Sequence, residues 1–132
     1  MIVAGVGSRR GVSAEEVRAA IEGALERFGA SLDDVSMLAT PAIKGGEAGI
    51  ARAAAELVLP LILVPQAQLE AAGARAISRS ERVVALLGVP SAAETAALAA
   101  AGAGGRLLGP RFVLGPVTCA LARRGGSEEA AP

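Results

Sequence analysis

The stretch Ile2-Val3-Ala4-Gly5-Val6-Gly7-Ser8-Arg9-Arg10-Gly11-Val12-Ser13-Ala14-Glu15-Glu16 decides how the rest of the chain is read. Ile2 to Val6 is a short apolar run rich in β-branched residues, which predicts a buried strand. Gly5, Gly7 and Gly11 permit a tight turn with positive φ or a close approach of backbone. Ser13 and Glu16 stand at S-x-x-E spacing, the pattern of a capping box, so a helix starts there. Strand, glycine loop and helix N-terminus follow one another, with Arg9 and Arg10 in the loop. Backbone N–H groups, the positive end of a helix dipole and two guanidinium groups then converge, as a receptor for carboxylates or phosphates requires. A glycine turn with two solvated arginines fits the same residues.

Outward from this stretch, Val17, Ile21, Ala24, Leu25 and Phe28 form one apolar stripe and predict a helix from about Ala14 to Phe28, stopped by Gly29. Val35 to Ala39 reads as a second strand ending at Thr40-Pro41. A loop carrying Lys44 follows, and a helix begins near Glu47 with Ile50, Ala54, Leu57 and Val58 on its buried face and Pro60 at its end. Leu61 to Val64 is a continuous apolar run, as expected of an interior strand covered on both faces. Gln66 to Ala72 is a short helix at most, and Ala74 to Arg79 reads as loop. Ser80 caps a helix from Glu81 to Leu87, stopped by Gly88. Ser91 and Glu94 make a second capping box, opening a helix from Ala92 to Ala101 that is almost all alanine and suited to lying close on a sheet. Arg106 to Leu108 and Val117 to Ala122 are the closing strands, expected to pair as a hairpin across a connection at 109–116. The domain spans 2–123, and 124–132 is a polar, disordered tail.

Strands alternating with helices give an α/β fold, a three-layer sandwich around a mixed, mainly parallel central sheet with a C-terminal β-hairpin. Ligands of such sheets sit beyond the carboxyl ends of the strands. Three loops are expected there: 7–11, 40–47 and 88–91.

Composition narrows the chemistry. The 132 residues suit one domain, and 52% hydrophobic with 20% charged residues suits a globular one. Formal net charge is zero, so no global field argues for nucleic acid or an anionic membrane as partner. Phe28 and Phe112 are the sole aromatics, too few for a base-stacking platform. There is no histidine, which removes the usual metal ligand, the Ser-His-Asp triad and the commonest general base. No metal or other cofactor is expected. The single cysteine, Cys119, lies in an apolar run and is expected to be buried and inert. Met1 leads directly into the first strand and no apolar run is long enough to span a bilayer, so a cytoplasmic protein without a leader is expected.

Gly5-x-Gly7-x-x-x-Gly11 differs from the dinucleotide fingerprint G-x-G-x-x-G, because position 10 is Arg. The second strand ends in Leu38-Ala39-Thr40, with no acid for a ribose hydroxyl. Lys44 and Glu47 read as a phosphate or carboxylate contact, as an acid/base pair, or as a loop charge beside a helix N-terminal acid. Ser91 and Glu94 read as a cap rather than a nucleophile and its helper, since no base accompanies them. Arg111 points to a ligand or to water.

Gly5-Val-Gly-Ser-Arg-Arg-Gly11 followed by Ser13-Ala-Glu-Glu16 resembles the opening of the CobE and CbiG C-terminal domain family of cobalamin (vitamin B12) biosynthesis. Leu38-Ala39-Thr40 with Lys44 and Glu47, Gly88-Val-Pro-Ser-Ala-Ala-Glu94, Gly104-Gly105-x-Leu107-Leu108-x-Pro110 and Val117-Thr118-Cys-Ala-Leu-Ala-Arg123 continue the resemblance in order. Two departures stand out. The family's first loop usually reads Gly-Ile-Gly-Cys-Arg-Lys-Gly, and Ser8 replaces that cysteine, which argues against thiol chemistry there. Ala42 stands where the family often has an acid, which weakens an acid/base role around Lys44.

The resemblance implies a role in building the corrin ring. In CbiG the fused protein, a cobalt-precorrin-5A hydrolase, opens a lactone and releases acetaldehyde; the stand-alone CobE form, which this chain resembles, is associated with corrinoid binding. Three functions follow: a module that binds a carboxylated corrin or precorrin intermediate, a lactone hydrolase, or an interaction subunit that docks another cobalamin-pathway enzyme. The lack of histidine, and of a nucleophile with its base, favours the first and leaves no catalytic residue assigned. The residues expected at the ligand are Gly5, Gly7, Ser8, Arg9, Arg10, Gly11, Thr40, Lys44, Glu47, Pro90 and Ser91.

Overall fold

The first strand, β1 (Ile2–Ser8), lies at the centre of a six-stranded sheet. The computed structural model describes residues 1–44 and 47–125. In chain order the other strands are β2 (Val35–Pro41), β3 (Leu61–Val64), β4 (Arg106–Leu107), β5 (Phe112–Leu114) and β6 (Val117–Arg123). β3, β2 and β1 run parallel, and β6 pairs antiparallel with the other side of β1. β4 and β5 share the outer side of β6, β4 against its end and β5 against its beginning. The sheet is therefore mixed, with a parallel core and a closing β5–β6 hairpin.

The helices are α1 (Ala14–Arg27), α2 (Ala48–Leu57), α3 (Gln66–Ala72), α4 (Glu81–Leu87) and α5 (Ala92–Ala101). Alternation along β1 divides the core in two. Ile2, Ala4 and Val6 meet Val17, Ile21 and Leu25 of α1 and Ile50 of α2 on one face. Val3 meets Leu69 of α3 and Ala93, Ala96 and Ala97 of α5 on the other. That makes three layers. Gly5 also faces α5: a Cβ there would overlap Ala93 O and stand 2.7 Å from Ala97 N. A glycine under an alanine helix lets the two backbones approach, so Gly5 is a packing residue inside the strand rather than part of a turn.

Several expectations are corrected. β3 is an edge strand with Ile62 and Leu63 exposed, not an interior one; an unbroken apolar run does not distinguish the two. The 109–116 connection contains β5, which forms the tight hairpin with β6 through Phe112↔Cys119. Its three residues sit between Gly109-Pro110 and Gly115-Pro116, turn signals that hid them. α2 stops at Leu57 because the residue before Pro60 resists the helical conformation. Val58 takes the left-handed conformation, φ 57°, and is exposed rather than buried.

The Ser13–Glu16 capping box forms in full, with N–H···O distances of 3.0 Å both ways. The Ser91–Glu94 box forms by half: Ser91 Oγ accepts the Glu94 N–H at 3.1 Å, but the Glu94 side chain turns elsewhere. At the C-terminus the Arg124 N–H donates to Met1 O at 2.9 Å and the Gly125 N–H to Ala101 O at 3.2 Å. Residues 126–132 of the expected tail lie outside the described residues. Among the described residues, no single helix is long and apolar enough to cross a membrane.

Candidate functional site

β1 runs on to Ser8, two residues past the expected end of the strand. The Arg9 N–H donates to Pro116 O at 3.0 Å, so the backbone stays tied to the β5–β6 turn as it leaves the sheet. Gly11 makes the reversal at φ 77°, where a side chain would be strained. Its N–H donates to Glu47 Oε1 at 3.1 Å, which links the loop after β1 to the start of α2. Gly7 acts by size: a Cβ there would come within 3.1 Å of Ala92 Cβ and 3.0 Å of Thr118 Oγ1. Its absence admits the N-terminus of α5 to the end of β1.

These elements surround an open cleft of about 790 Å³. Arg9 and Arg10 line it from the end of β1, Arg82 from α4, and Arg111 from the segment before β5. Ser91 and Ala92 bring in the first turn of α5. The first turn of any helix presents unpaired N–H groups, and here Ser91 Oγ takes that of Glu94. Glu47 is the one carboxylate among the described lining residues. The cleft is thus strongly electropositive. Two polar atoms of its lining residues, Ser8 Oγ and Arg111 Nη1, are buried without a hydrogen-bond partner. Ile43, Leu86 and Val113 also face it, and they are 71%, 66% and 55% exposed. Cationic groups and uncovered apolar surface therefore share one concavity.

The expected site residues divide into two groups. Gly7, Ser8, Arg9, Arg10, Glu47 and Ser91 line the cleft, and Gly11 is bonded to Glu47 beside it. Gly5, Thr40 and Pro90 do not line it. Gly5 lies under α5, and the buried Thr40 hydroxyl donates to Val6 O at 2.8 Å, holding β2 to β1. Pro90 O accepts the Ser80 N–H at 2.9 Å beneath α4. Lys44 ends a short 3-10 turn (Ala42–Lys44), and its side chain lies outside the described residues. Arg82 and Leu86 were not anticipated; the Ser80 and Gly88 signals that delimit α4 identify the helix but not its place over the strand ends. Arg111 belongs to the cleft.

A correction concerns the helix that supplies its N-terminus. Ser13 and Ala14 of α1 border a separate groove of about 750 Å³ between α1 and α2. Arg18 and Arg52 there pair with Glu56 at 3.2 and 3.3 Å, and Glu15 and Glu22 also line the groove. The helix terminus in the arginine cleft is that of α5. No group of three or more His, Cys, Asp or Glu gathers as a metal site among the described residues. Cys119 is fully buried, and burial pushes its thiol up to about 12, far from a working nucleophile.

The chain matches the family model described as Cobalamin synthesis G C-terminus over residues 2–122. It is similar to Protein CobE of Sinorhizobium sp, 36% identical over 121 residues, 92% of this chain and 79% of that protein. Among solved structures it is similar to CobE, described as a protein from the cobalamin (vitamin B12) biosynthetic pathway, with a TM-score of 0.88 and 37% identity over 93% of this chain and 89% of that one. Cobalamin biosynthesis protein chiG from Agrobacterium tumefaciens str. C58 superposes with a TM-score of 0.77 and 42% identity over 95% and 99% of the two chains. A cobalamin biosynthesis protein G homolog from Sulfolobus solfataricus shares the fold, with a TM-score of 0.68 at 22% identity over 94% of this chain and 37% of that one.

Proposed function

The chain belongs to the CobE and CbiG C-terminal family of cobalamin biosynthesis, and from that premise we propose that it binds a carboxylated corrin or precorrin intermediate in the arginine-lined cleft. The observation that carries this is the shared concavity: Arg9, Arg10, Arg82 and Arg111 together with exposed Ile43, Leu86 and Val113. Corrin intermediates are broad macrocycles with apolar faces, edged by acetate and propionate groups. Guanidinium groups suit carboxylates because their paired donors match the two oxygens. The apolar side chains suit the face of the ring. A cleft of about 790 Å³ is within the usual size of a ligand site, and its openness leaves part of a macrocycle uncovered for hand-over to another pathway enzyme.

Binding is favoured over lactone hydrolysis by the residues at hand. Opening a lactone requires activation of water or of a nucleophile. Glu47, the one described carboxylate of the cleft, has one oxygen committed to the Gly11 N–H, and the chain has no histidine.

The test is a visible-absorbance titration with late precorrins, followed by mass analysis of the ligand. A charge-assisted contact contributes about 1.5–3 kcal/mol, so Arg9→Ala or Arg10→Ala should weaken binding by roughly ten- to a hundredfold. Both variants should fold, since exposed loop substitutions usually cost about 0.5 kcal/mol or less. If the double variant folds and binds as tightly as wild type at low salt, the reading is wrong. Release of acetaldehyde from the ligand would replace binding with hydrolysis.

A further inference from the structure

Glu94 is fully buried, and its side chain makes no salt bridge among the described residues. Its Oε1 accepts the N–H groups of Ile77 and Ser78, each at 2.8 Å, and its Oε2 accepts that of Arg111, also at 2.8 Å. Burying a carboxylate is costly unless its oxygens are satisfied. On an otherwise alanine-rich helix, an apolar residue would fill the same space more cheaply. What the carboxylate adds is connection. The 77–78 segment leads into α4, which carries Arg82 and Leu86, and Arg111 precedes β5. α4 buries none of its residues fully, and Val83 and Leu87 pack half-buried against the core. Hydrogen bonds add to that hold: Ile77 and Ser78 to Glu94, the Ser80 N–H to Pro90 O at 2.9 Å, and Gln66 Nε2 to Leu87 O at 2.7 Å.

We propose that Glu94 is a positioning residue of the cleft: it touches no ligand, and it holds Arg111 and the approach to α4 on the first turn of α5. This rests on the reading of the cleft as the ligand site. Glu94 is the point at which three separate walls of the cleft meet, and its Oε2 fixes the backbone from which the Arg111 side chain enters the lining.

The asymmetry of the two oxygens supplies the test. Glu94→Gln replaces one oxygen with a donor. Oε1 serves two N–H groups and Oε2 one, so the amide oxygen stays with Ile77 and Ser78 while the NH₂ opposes the Arg111 N–H. Arg111 is released, and the approach to α4 is kept. The probe is uroporphyrin, a fluorescent polycarboxylated macrocycle, titrated into wild type, Glu94→Gln, Arg111→Ala and the double variant. Glu94→Gln is expected to bind about tenfold more weakly, which corresponds to about 1.4 kcal/mol. The double variant should bind no more weakly than Arg111→Ala, because the two act through one contact. In hydrogen exchange, the Arg111 amide should lose protection in Glu94→Gln while Ile77 and Ser78 keep theirs. Equal affinity of Glu94→Gln and wild type, or losses that multiply in the double variant, overturns the role of Glu94 and leaves the cleft reading intact. Failure of wild type to bind uroporphyrin overturns both. If Glu94→Gln does not fold, Glu94→Asp replaces it, since the shorter acid keeps the charge but cannot reach both sets of amides. If neither folds, Glu94 serves folding alone and the proposal falls.

Discussion

Cys119 and Glu94 are both fully buried, yet they sit in opposite chemical settings. Cys119 faces Val6 across the β1–β6 ladder and Phe112 across the β5–β6 hairpin, in a wholly apolar layer. Desolvation disfavours its thiolate and raises the thiol from 9.0 to about 12. A raised pKa means that the folded state keeps its proton to higher pH than the unfolded state does. The stability this contributes is fully present below pH 9 and is lost as pH rises towards about 12. Urea unfolding of wild type should show a fall of about 1.4 kcal/mol per pH unit in that window from this group. Cys119→Ala should lack that component; identical alkaline slopes for the two proteins would contradict the account. The native thiol should also resist alkylating reagents. Burial of Cys119 was legible because Val117 to Ala122 is an apolar run. The role of Glu94 was not. Ser91-x-x-Glu94 matches a capping box, and nothing in the sequence indicates that three amides from distant segments outcompete the one cap N–H.

At the level of elements, the contact of α5 with β1 sets the geometry of the site. The helix is nearly featureless in sequence, and its value lies in the small side chains that bring its backbone down onto Gly5. Gly5→Ala should therefore be destabilising by about 1–3 kcal/mol, the range for overpacking. The Cβ meets backbone atoms, which cannot rotate away. Equilibrium unfolding measures it, and an unchanged midpoint would show that α5 is free to rise. Ser13→Ala gives the contrast, a loss of about 1 kcal/mol from the cap with no change in ligand affinity, because Ser13 borders the other groove. The helices were largely legible, from the apolar stripe of α1, the caps of α4 and α5, and the glycine stops. Sheet position was not, because strand order is fixed by packing between distant segments. β3 reads as interior and lies at the edge; β5 is too short and too well flanked by turn signals to be seen. The place of α4 beside the glycine loop, and with it Arg82, follows only from tertiary contacts.

For the whole molecule the decisive quantity is how charge is distributed, since the formal total is zero. On the α1–α2 side Arg18 and Arg52 are paired with Glu56, and Arg79 is paired with Glu81 at the approach to α4. In the cleft Arg9, Arg10, Arg82 and Arg111 face the single described carboxylate of Glu47. A molecule with no net charge has no general attraction for an anion, so any salt dependence of binding arises in the cleft. Raising ionic strength from about 0.1 M to about 1 M shortens the screening length from about 10 Å to about 3 Å. Wild-type affinity for uroporphyrin should fall steadily over that range, as read from fluorescence titrations. The sequence alone, showing Arg9 and Arg10, predicts that Arg9→Ala with Arg10→Ala removes most of this dependence. The geometry predicts less. Arg82, Arg111 and the α5 terminus remain in the double variant, which should keep a clear slope, and only the further changes Arg82→Ala and Arg111→Ala should flatten it. A double variant already flat would place the whole electrostatic contribution on the β1 loop. A wild type insensitive to salt would remove carboxylate recognition by these arginines altogether.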